Sequence, residues 1–257
     1  MDLYLINLSR RPDRREAMER QARQLGLGLT RLEAMDAREA EPRELDRWFE
    51  ASGPLGAIPR GDQCCSLSHR IAWKRLVESG AAYAAVLEDD VHLSTRAPLV
   101  LKGADWIPAG VDLVKLEHYG PRSQSVLLSD FRDVGQDFRL GRMRSRHTGA
   151  AAYILSRRAA ELLLQTPRFD LPVDHLLFNP NNSKLFAKLQ PWQLLPTIAR
   201  QQQDDASDIE GWRASLRKFD ATYVKRELVR FGYDLKLLPP QLALILRGKA
   251  KFVRVAK

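Results

Sequence analysis

Long apolar runs are missing from this 257-residue chain, and none approaches the roughly 20 residues that a membrane-spanning helix needs. Cysteine is nearly absent, with only the adjacent pair Cys64 and Cys65. Neighbouring cysteines rarely meet disulfide geometry, so a disulfide-stapled scaffold is excluded and two thiols in a reducing compartment are expected. The opening stretch, MDLYLINLSRRPDRRE, turns charged before any apolar segment and cleavage site can form, so a secretory signal is not expected there. There are no internal repeats. Together these absences point to a cytoplasmic protein. What is present, 44% hydrophobic and 28% charged residues, is globular in balance and sufficient for one large domain or two small ones.

Charge is unevenly spread. From Arg213 to Lys257 there are twelve Lys and Arg against three acids, so the whole net charge of +9 lies in the last 45 residues. Phe219, Tyr223, Val224, Leu228 and Phe231 and the run LPPQLALILRGKAKFVRV are interleaved with those cations. That mixture suits the headgroup layer of an anionic membrane, so residues 211–257 are expected to form a basic, helical tail docking on the inner leaflet. A nucleic-acid partner is the competing reading of a pI near 9.8. No DNA- or RNA-binding motif accompanies it and the body is near neutral, so nucleic acid is not expected.

Strand and helix signals alternate along the body. LYLINL (residues 3–8) reads as a buried parallel strand. Pro12 and Asp13 then start a helix carrying Met18, Ala22 and Leu25 on one face, with Gly26 as its C-cap. LTRLEAM (29–35) reads as a strand and ASGPLGAIPRG (51–61) as a loop. SLSHRIAWKRLVESG reads as a helix whose Leu67, Ile71, Ala72 and Leu76 share a face. YAAVL and VDLVKL read as strands, and GAAAYILSRRAAELLL as a strand entering a helix. The pattern predicts an α/β domain on a mostly parallel sheet, in which ligands bind at the carboxyl ends of the strands.

The stretch YAAVLEDD drives an apolar strand into Glu88, Asp89 and Asp90. Adjacent carboxylates near a core need a counter-charge. One reading is a solvated turn that caps the next helix. The other is a divalent metal site of hard oxygen ligands, suited to Mg²⁺ or Mn²⁺ and completed by water and substrate phosphates. The cluster alone leaves both open.

Its company adds to the argument. INLSRRPDR (6–14), GDQCCSLSHRIAW (61–73), VLEDD (86–90), HTGAAAYILSRRAAELL (147–163) and PVDHLLF (172–178) stand in one order. Together they resemble glycosyltransferase family 25, which includes lipooligosaccharide galactosyltransferases of Gram-negative bacteria. The resemblance spans roughly residues 2–210 and leaves the basic tail outside. It implies a GT-A-like, Rossmann-type domain over residues 1–210, an inverting and metal-dependent transfer, a UDP-sugar donor with UDP-galactose first, and a glycan or glycolipid acceptor. A catalytically silent sugar-nucleotide-binding relative is the alternative against which the intact Glu-Asp-Asp speaks.

Carried over onto this sequence, the resemblance makes Asp90 the metal ligand with Glu88 beside it, and directs Glu88 and Asp89 toward ribose, metal waters or sugar. Asn7, Arg10, Arg11, Asp13 and Arg14 would cradle the nucleotide, an Arg screening diphosphate. Without the family pattern, an Arg-rich helix start is a solvated one. Ser68 and His69 would reach the donor pocket by hydrogen bonds, or else His69 ties a loop to a strand. Cys64 stands where the family usually has glycine, a strained site if that glycine needed positive φ. Neither thiol reads as a nucleophile. Single-displacement inversion needs a base. Asp174 is the candidate and Glu117 the second, with helix capping as the other role open to Asp174. His147 and His175 could complete a metal or phosphate shell or support it from behind. Tyr153 reads as core, and QQQDDASDIE (201–210) as a loop that closes over the donor or an ordinary linker.

Overall fold

The computed structural model describes residues 1–118, 124–201 and 221–255. The segment β1 (Asp2–Asn7) is apolar on both faces because it lies between two neighbours, β2 (Thr30–Glu33) and β3 (Tyr83–Glu88), both parallel to it. Leu3 and Leu5, with Ala85 and Leu87 of β3, pack to one side of the sheet against Met18 and Ala22 of helix α1 (Pro12–Gln24). Tyr4, Ile6, Ala84 and Val86 point to the other side, against Leu67, Ala72, Trp73 and Leu76 of helix α3 (Arg60–Ser79). Alternation of side chains along each strand thus builds a helix–sheet–helix sandwich. Each fully buried Leu or Val in it is worth about 1.5–3 kcal/mol.

Local signals set the helix limits. Pro12 opens α1, and Gly80 ends α3 in the left-handed conformation at φ 72°. Helix α3 begins at Arg60, well before the expected start, so Cys64 sits inside the helix and the feared positive φ does not arise. Ile71 turns outward at 40% exposure, while Leu67, Ala72 and Leu76 form the buried face. Between β2 and α3 lies the short helix α2 (Pro42–Trp48).

After β3 come β4 (Val91–Leu93), helix α4 (Ala97–Leu101), β5 (Leu113–Lys115), β6 (Glu117–His118), β7 (Gln124–Gly135), β8 (Phe138–Met143) and β9 (Ala152–Ser156). Helices α5 (Arg157–Leu164), α6 (Val173–Phe178) and α7 (Phe186–Leu189) lead to β10 (Trp192–Leu195) and β11 (Ala199–Gln201). The main sheet has nine strands in the order β12-β7-β8-β10-β5-β9-β3-β1-β2, where β12 is Ala250–Val255. Parallel pairing, expected for most of the sheet, holds for β2-β1-β3 and for β5 with β10. The other five pairings are antiparallel, so the sheet is mixed.

A second sheet of three strands, β4-β11-β6, lies beside the carboxylates. Its register sets Gln201 opposite Val91, which brings the Gln201 amide to the preceding Asp90. Of the expected basic tail, residues 221–246 form helix α8 (Ala221–Leu246), but residues 250–255 are an edge strand of the main sheet. Residues 202–210 of the expected closing loop lie outside the described residues, as do 211–220.

Candidate active site

The ends of β1 and β3 are neighbours in register, Ile6 against Glu88. The loops that follow them therefore open on one rim, where a cavity is walled by Arg10, Arg14, Glu88, Asp89, Asp90 and the segment from Ala34 to Arg38 after β2. This is the carboxyl edge of parallel strands, where open α/β sheets bind ligands.

Each carboxylate is held differently. Glu88 Oε1 lies 3.0 Å from His69 Nε2 and accepts from Cys65 Sγ at 3.8 Å. Asp89 accepts from Asn7 Nδ2 at 2.7 Å and from Arg14 at 3.3 Å. Burial raises the Asp89 pKa, with the Asn7 hydrogen bond and the Arg14 charge pulling the other way. Asp90 Oδ2 accepts from Gln201 Nε2 at 2.9 Å. Its Oδ1 is buried and has no hydrogen-bond partner among the described residues. Burial first, and then the charge on Glu88, push Asp90 up to about 8. A buried oxygen without a donor, on a carboxylate that resists ionisation, is a group whose charge a cation could satisfy. The oxygen donor set fits Mg²⁺ or Mn²⁺.

The predicted nucleotide residues separate into three groups. Arg10 and Arg14 line the cavity, Arg10 held by Asp36 and Arg14 by Asp89. Asn7, only 1% exposed, stands behind the wall, where Arg31 fixes its carbonyl at 3.1 Å and its amide orients Asp89. Arg11 and Asp13 pair with each other at 2.7 Å on the exposed start of α1 and do not line the cavity. The Arg11 guanidinium holds Asp13 down at about 2.

Ser68 and His69 are also set back, in the buried face of α3. Ser68 Oγ accepts from Met35 N–H at 2.9 Å and donates to the Cys64 carbonyl, fixing the segment after β2. His69 bridges Glu88 and the Tyr153 hydroxyl, 2.9 Å from Nδ1, and Trp73 donates to the same hydroxyl at 2.9 Å. Tyr153 is core, as its sequence context implied, yet it is also the anchor that aims His69 at Glu88.

The match with known proteins covers this part of the chain. A family model, "Glycosyltransferase family 25 (LPS biosynthesis protein)", fits residues 1–177, which include Asp174 and the whole cavity wall except Gln201. The chain belongs to glycosyltransferase family 25. It is 31% identical over 156 residues to the lacto-N-neotetraose biosynthesis glycosyltransferase LgtB of Neisseria meningitidis serogroup A, covering 55% of this chain and 53% of that protein. The corresponding LgtE protein of N. meningitidis serogroup B is 28% identical over 205 residues, covering 68% of this chain and 70% of that one. The chain thus spans about half the length of the first curated relatives it matches, 44% and 53% of the first two. Among solved structures, A197 from STIV is similar at a TM-score of 0.42 and 13% identity, over 80% of this chain and 87% of that one, too distant to carry an argument.

The base candidates Asp174 and Glu117 of this family-25 chain, and the shell candidates His147 and His175, do not line that cavity. Asp174 occupies the first turn of α6, whose N-cap is Pro172, so it is not the capping residue. Its Oδ1 accepts from His175 N–H at 2.8 Å and its Oδ2 from Gly149 N–H at 3.4 Å. It does not line the carboxylate cavity. Glu117 is fully buried, accepts from Lys115 Nζ at 2.9 Å and from Ala151 N–H at 2.8 Å, and serves as an internal ion pair. Burial raises its pKa against the pull of Lys115. His147 is buried with Nδ1 at 2.8 Å from Gln193, and His175 is 2.8 Å from the Asn179 amide. Burial, then the nearby Lys115 charge, push His147 down to about 3, which keeps it neutral.

Two features escaped the sequence. Asp36 holds Arg10, and finding it requires knowing that β2 runs parallel beside β1. Cys64 and Cys65 line the cavity although neither carries a nucleophile pattern.

Proposed function

We propose that this chain transfers a hexose, galactose first, from a UDP-sugar to a lipooligosaccharide, LPS or related glycan acceptor, with inversion and with Mn²⁺ or Mg²⁺ at the carboxylates. One observation carries the reading: a buried, unpartnered Asp90 oxygen beside two further carboxylates, on a wall that also holds Arg10 and Arg14. Family membership supports the reaction class.

Asp90 and Glu88 would hold the cation, whose chemistry is to stabilise negative charge on the departing diphosphate. Asp89 stays oriented by Asn7 and Arg14, leaving the Arg14 guanidinium near the same phosphate oxygens. Arg10, braced by Asp36, adds a second cationic wall. Asp174 is the proposed base. It takes the acceptor hydroxyl proton as the oxygen bonds to the anomeric carbon and the bond to the diphosphate oxygen breaks, so one displacement inverts that centre.

A glycolipid acceptor calls for a membrane face. Leu235, Leu238, Leu242 and Leu246 on α8 and Phe252 on β12 are 47–85% exposed, among the exposed Lys236, Arg247, Lys249, Lys251 and Arg254. No helix of the described residues is long and apolar enough to cross a membrane. Peripheral attachment to an anionic inner leaflet is therefore part of the proposal. Vesicle sedimentation checks it, and equal binding to neutral and anionic vesicles would sink the electrostatic component.

Isothermal titration with UDP, with and without Mn²⁺, tests the site. Metal-dependent UDP binding that Asp90→Ala abolishes supports the reading. Absence of UDP binding in either condition removes the donor from it. Asp174→Asn should then keep UDP binding while turnover falls by about 100-fold or more.

A further inference from the structure

At the cavity wall, three different ligand atoms converge, two on residues that line it and one, on His69, set behind. Cys65 Sγ, His69 Nε2 and Glu88 Oε1 all lie within 4.8 Å of one another. The sulfur–oxygen separation is 3.8 Å and the nitrogen–oxygen separation 3.0 Å. Tetrahedral zinc with ordinary bond lengths sets these edges at about 3.6 and 3.4 Å. Both distances are within a few tenths of an ångström of that geometry, and the third edge, sulfur to nitrogen, lies within 4.8 Å against about 3.6 Å for tetrahedral zinc, so the Cys65 and His69 side chains would draw together on binding.

We propose that Cys65, His69 and Glu88 form a binding site for a thiophilic divalent cation of the zinc class, which shares Glu88 with the oxygen site at Asp90 but differs from it in its sulfur and nitrogen ligands. The ligand types decide the class: thiolate and imidazole select Zn²⁺ over Mg²⁺ and Mn²⁺, which prefer oxygen. Helical geometry supplies two of the ligands, because Cys65 and His69 are four residues apart on α3 and so occupy one face. Glu88 comes from the end of β3, which packs beneath that face.

The support behind the ligands matches the requirement of a metal-binding histidine. The second ring nitrogen of such a residue is fixed by an outer partner. Here Nδ1 of His69 meets the Tyr153 hydroxyl, itself held by the Trp73 indole. Without a cation, Nε2–H donates to Glu88 and Nδ1 accepts from Tyr153. For Nε2 and the Cys65 thiolate to become ligands, the ring proton would transfer to Nδ1, the Tyr153 hydroxyl would turn from donor to acceptor, and the thiol proton would leave to solvent. Cys65 and Glu88 also line the cavity, which gives a cation a route to two of the three ligands. Glu88 is the one side chain this site shares with the proposed transfer site, so the cobalt signal is read without UDP or Mn²⁺ and its failure is distinguishable from failure of the transfer reading.

The test is anaerobic titration of the full chain with Co²⁺ alone, a spectroscopic stand-in for zinc. One equivalent should produce a thiolate-to-cobalt charge-transfer band that Zn²⁺ then bleaches. Cys65→Ser should abolish the band and Cys64→Ser should keep it, which separates the two adjacent thiols. His69→Gln should weaken Co²⁺ affinity by more than about 10-fold, the least that loss of even an outer partner costs. No band in the parent protein, or a band that survives Cys65→Ser, overturns the proposal. Circular dichroism of Cys65→Ser confirms that a lost band reflects a lost ligand in a folded chain.

Discussion

Replacing Asp90 by Asn removes one charge from the cluster while leaving an oxygen for the Gln201 amide. In the folded chain, burial and the Glu88 charge hold Asp90 at about 8, against 3.8 for an ordinary aspartate. Between those values the folded protein keeps a proton that the unfolded chain has released. Stability contributed by this group is therefore complete below about pH 3.8 and is lost as pH rises to about 8. At 1.36 kcal/mol per unit, a window of roughly four units sets a ceiling of about 6 kcal/mol. Relaxation and water around a site open to a cavity reduce the expected loss to about 2–4 kcal/mol. Asn carries no such titration, so in the presence of a chelator Asp90→Asn should be more stable than the parent at about pH 8. The gap should shrink toward about pH 5. For a chain of this size it corresponds to roughly 5–15 °C in Tm. Thermal unfolding followed by circular dichroism at stepped pH reads it directly. A gap that does not change with pH, or a variant less stable than the parent at about pH 8, would refute the electrostatic account. Added Mn²⁺ should raise the parent's Tm and leave that of the variant unchanged.

Three further outcomes follow from the fold. His147 sits at about 3 in the folded chain, below its ordinary value of 6.5, so its contribution is present above pH 6.5 and lost on acidification toward about pH 3. His147→Gln should flatten that part of an acid-unfolding curve, and an unchanged curve would show that His147 is not buried neutral. Lys115→Met leaves Glu117 as a lone buried charge and should cost about 3–5 kcal/mol in urea unfolding, most of it recovered in Lys115→Met/Glu117→Leu. Failure of the second substitution to recover stability would count against the pair acting as a unit. Gly53→Ala places a Cβ on the Asp170 carbonyl oxygen, so the backbone must shift, and the urea midpoint should fall by the equivalent of about 1–3 kcal/mol. An unchanged midpoint would contradict the close approach.

The rim of the site was legible because its signals are local. A doubly buried apolar strand, Pro12 at a helix start and Gly80 at a helix end are written within a few residues of where they act. Periodicity located β1, α1, β3 and the strand-to-helix passage of β9 and α5, and so brought Arg10, Arg14 and the three carboxylates to one edge. The antiparallel half was not legible. Strands such as β8, FRLGRM, mix charge and apolar residues, and their partners are chosen by register across long separations. The positions of Asn7 and His69 have the same origin. A polar residue at a strand end or on a helix gives no sign of whether it faces the ligand or braces the residue that does. Only the Tyr153–His69–Glu88 chain, assembled from three distant segments, reveals that His69 braces.

The antiparallel pairing of β12 along β7 changes how the basic C-terminal residues must be dissected. Deleting residues 213–257 removes the excess cations, but it also strips a partner from a 12-residue strand. The bared row of N–H and C=O groups is a template on which a second chain can pair. A truncated protein would thus gain a self-association seam at the moment it loses its charge, and vesicle binding would be confounded with aggregation. Charge reversal at the exposed Lys236, Arg247 and Lys249, which leaves the β12 backbone in place, separates the two.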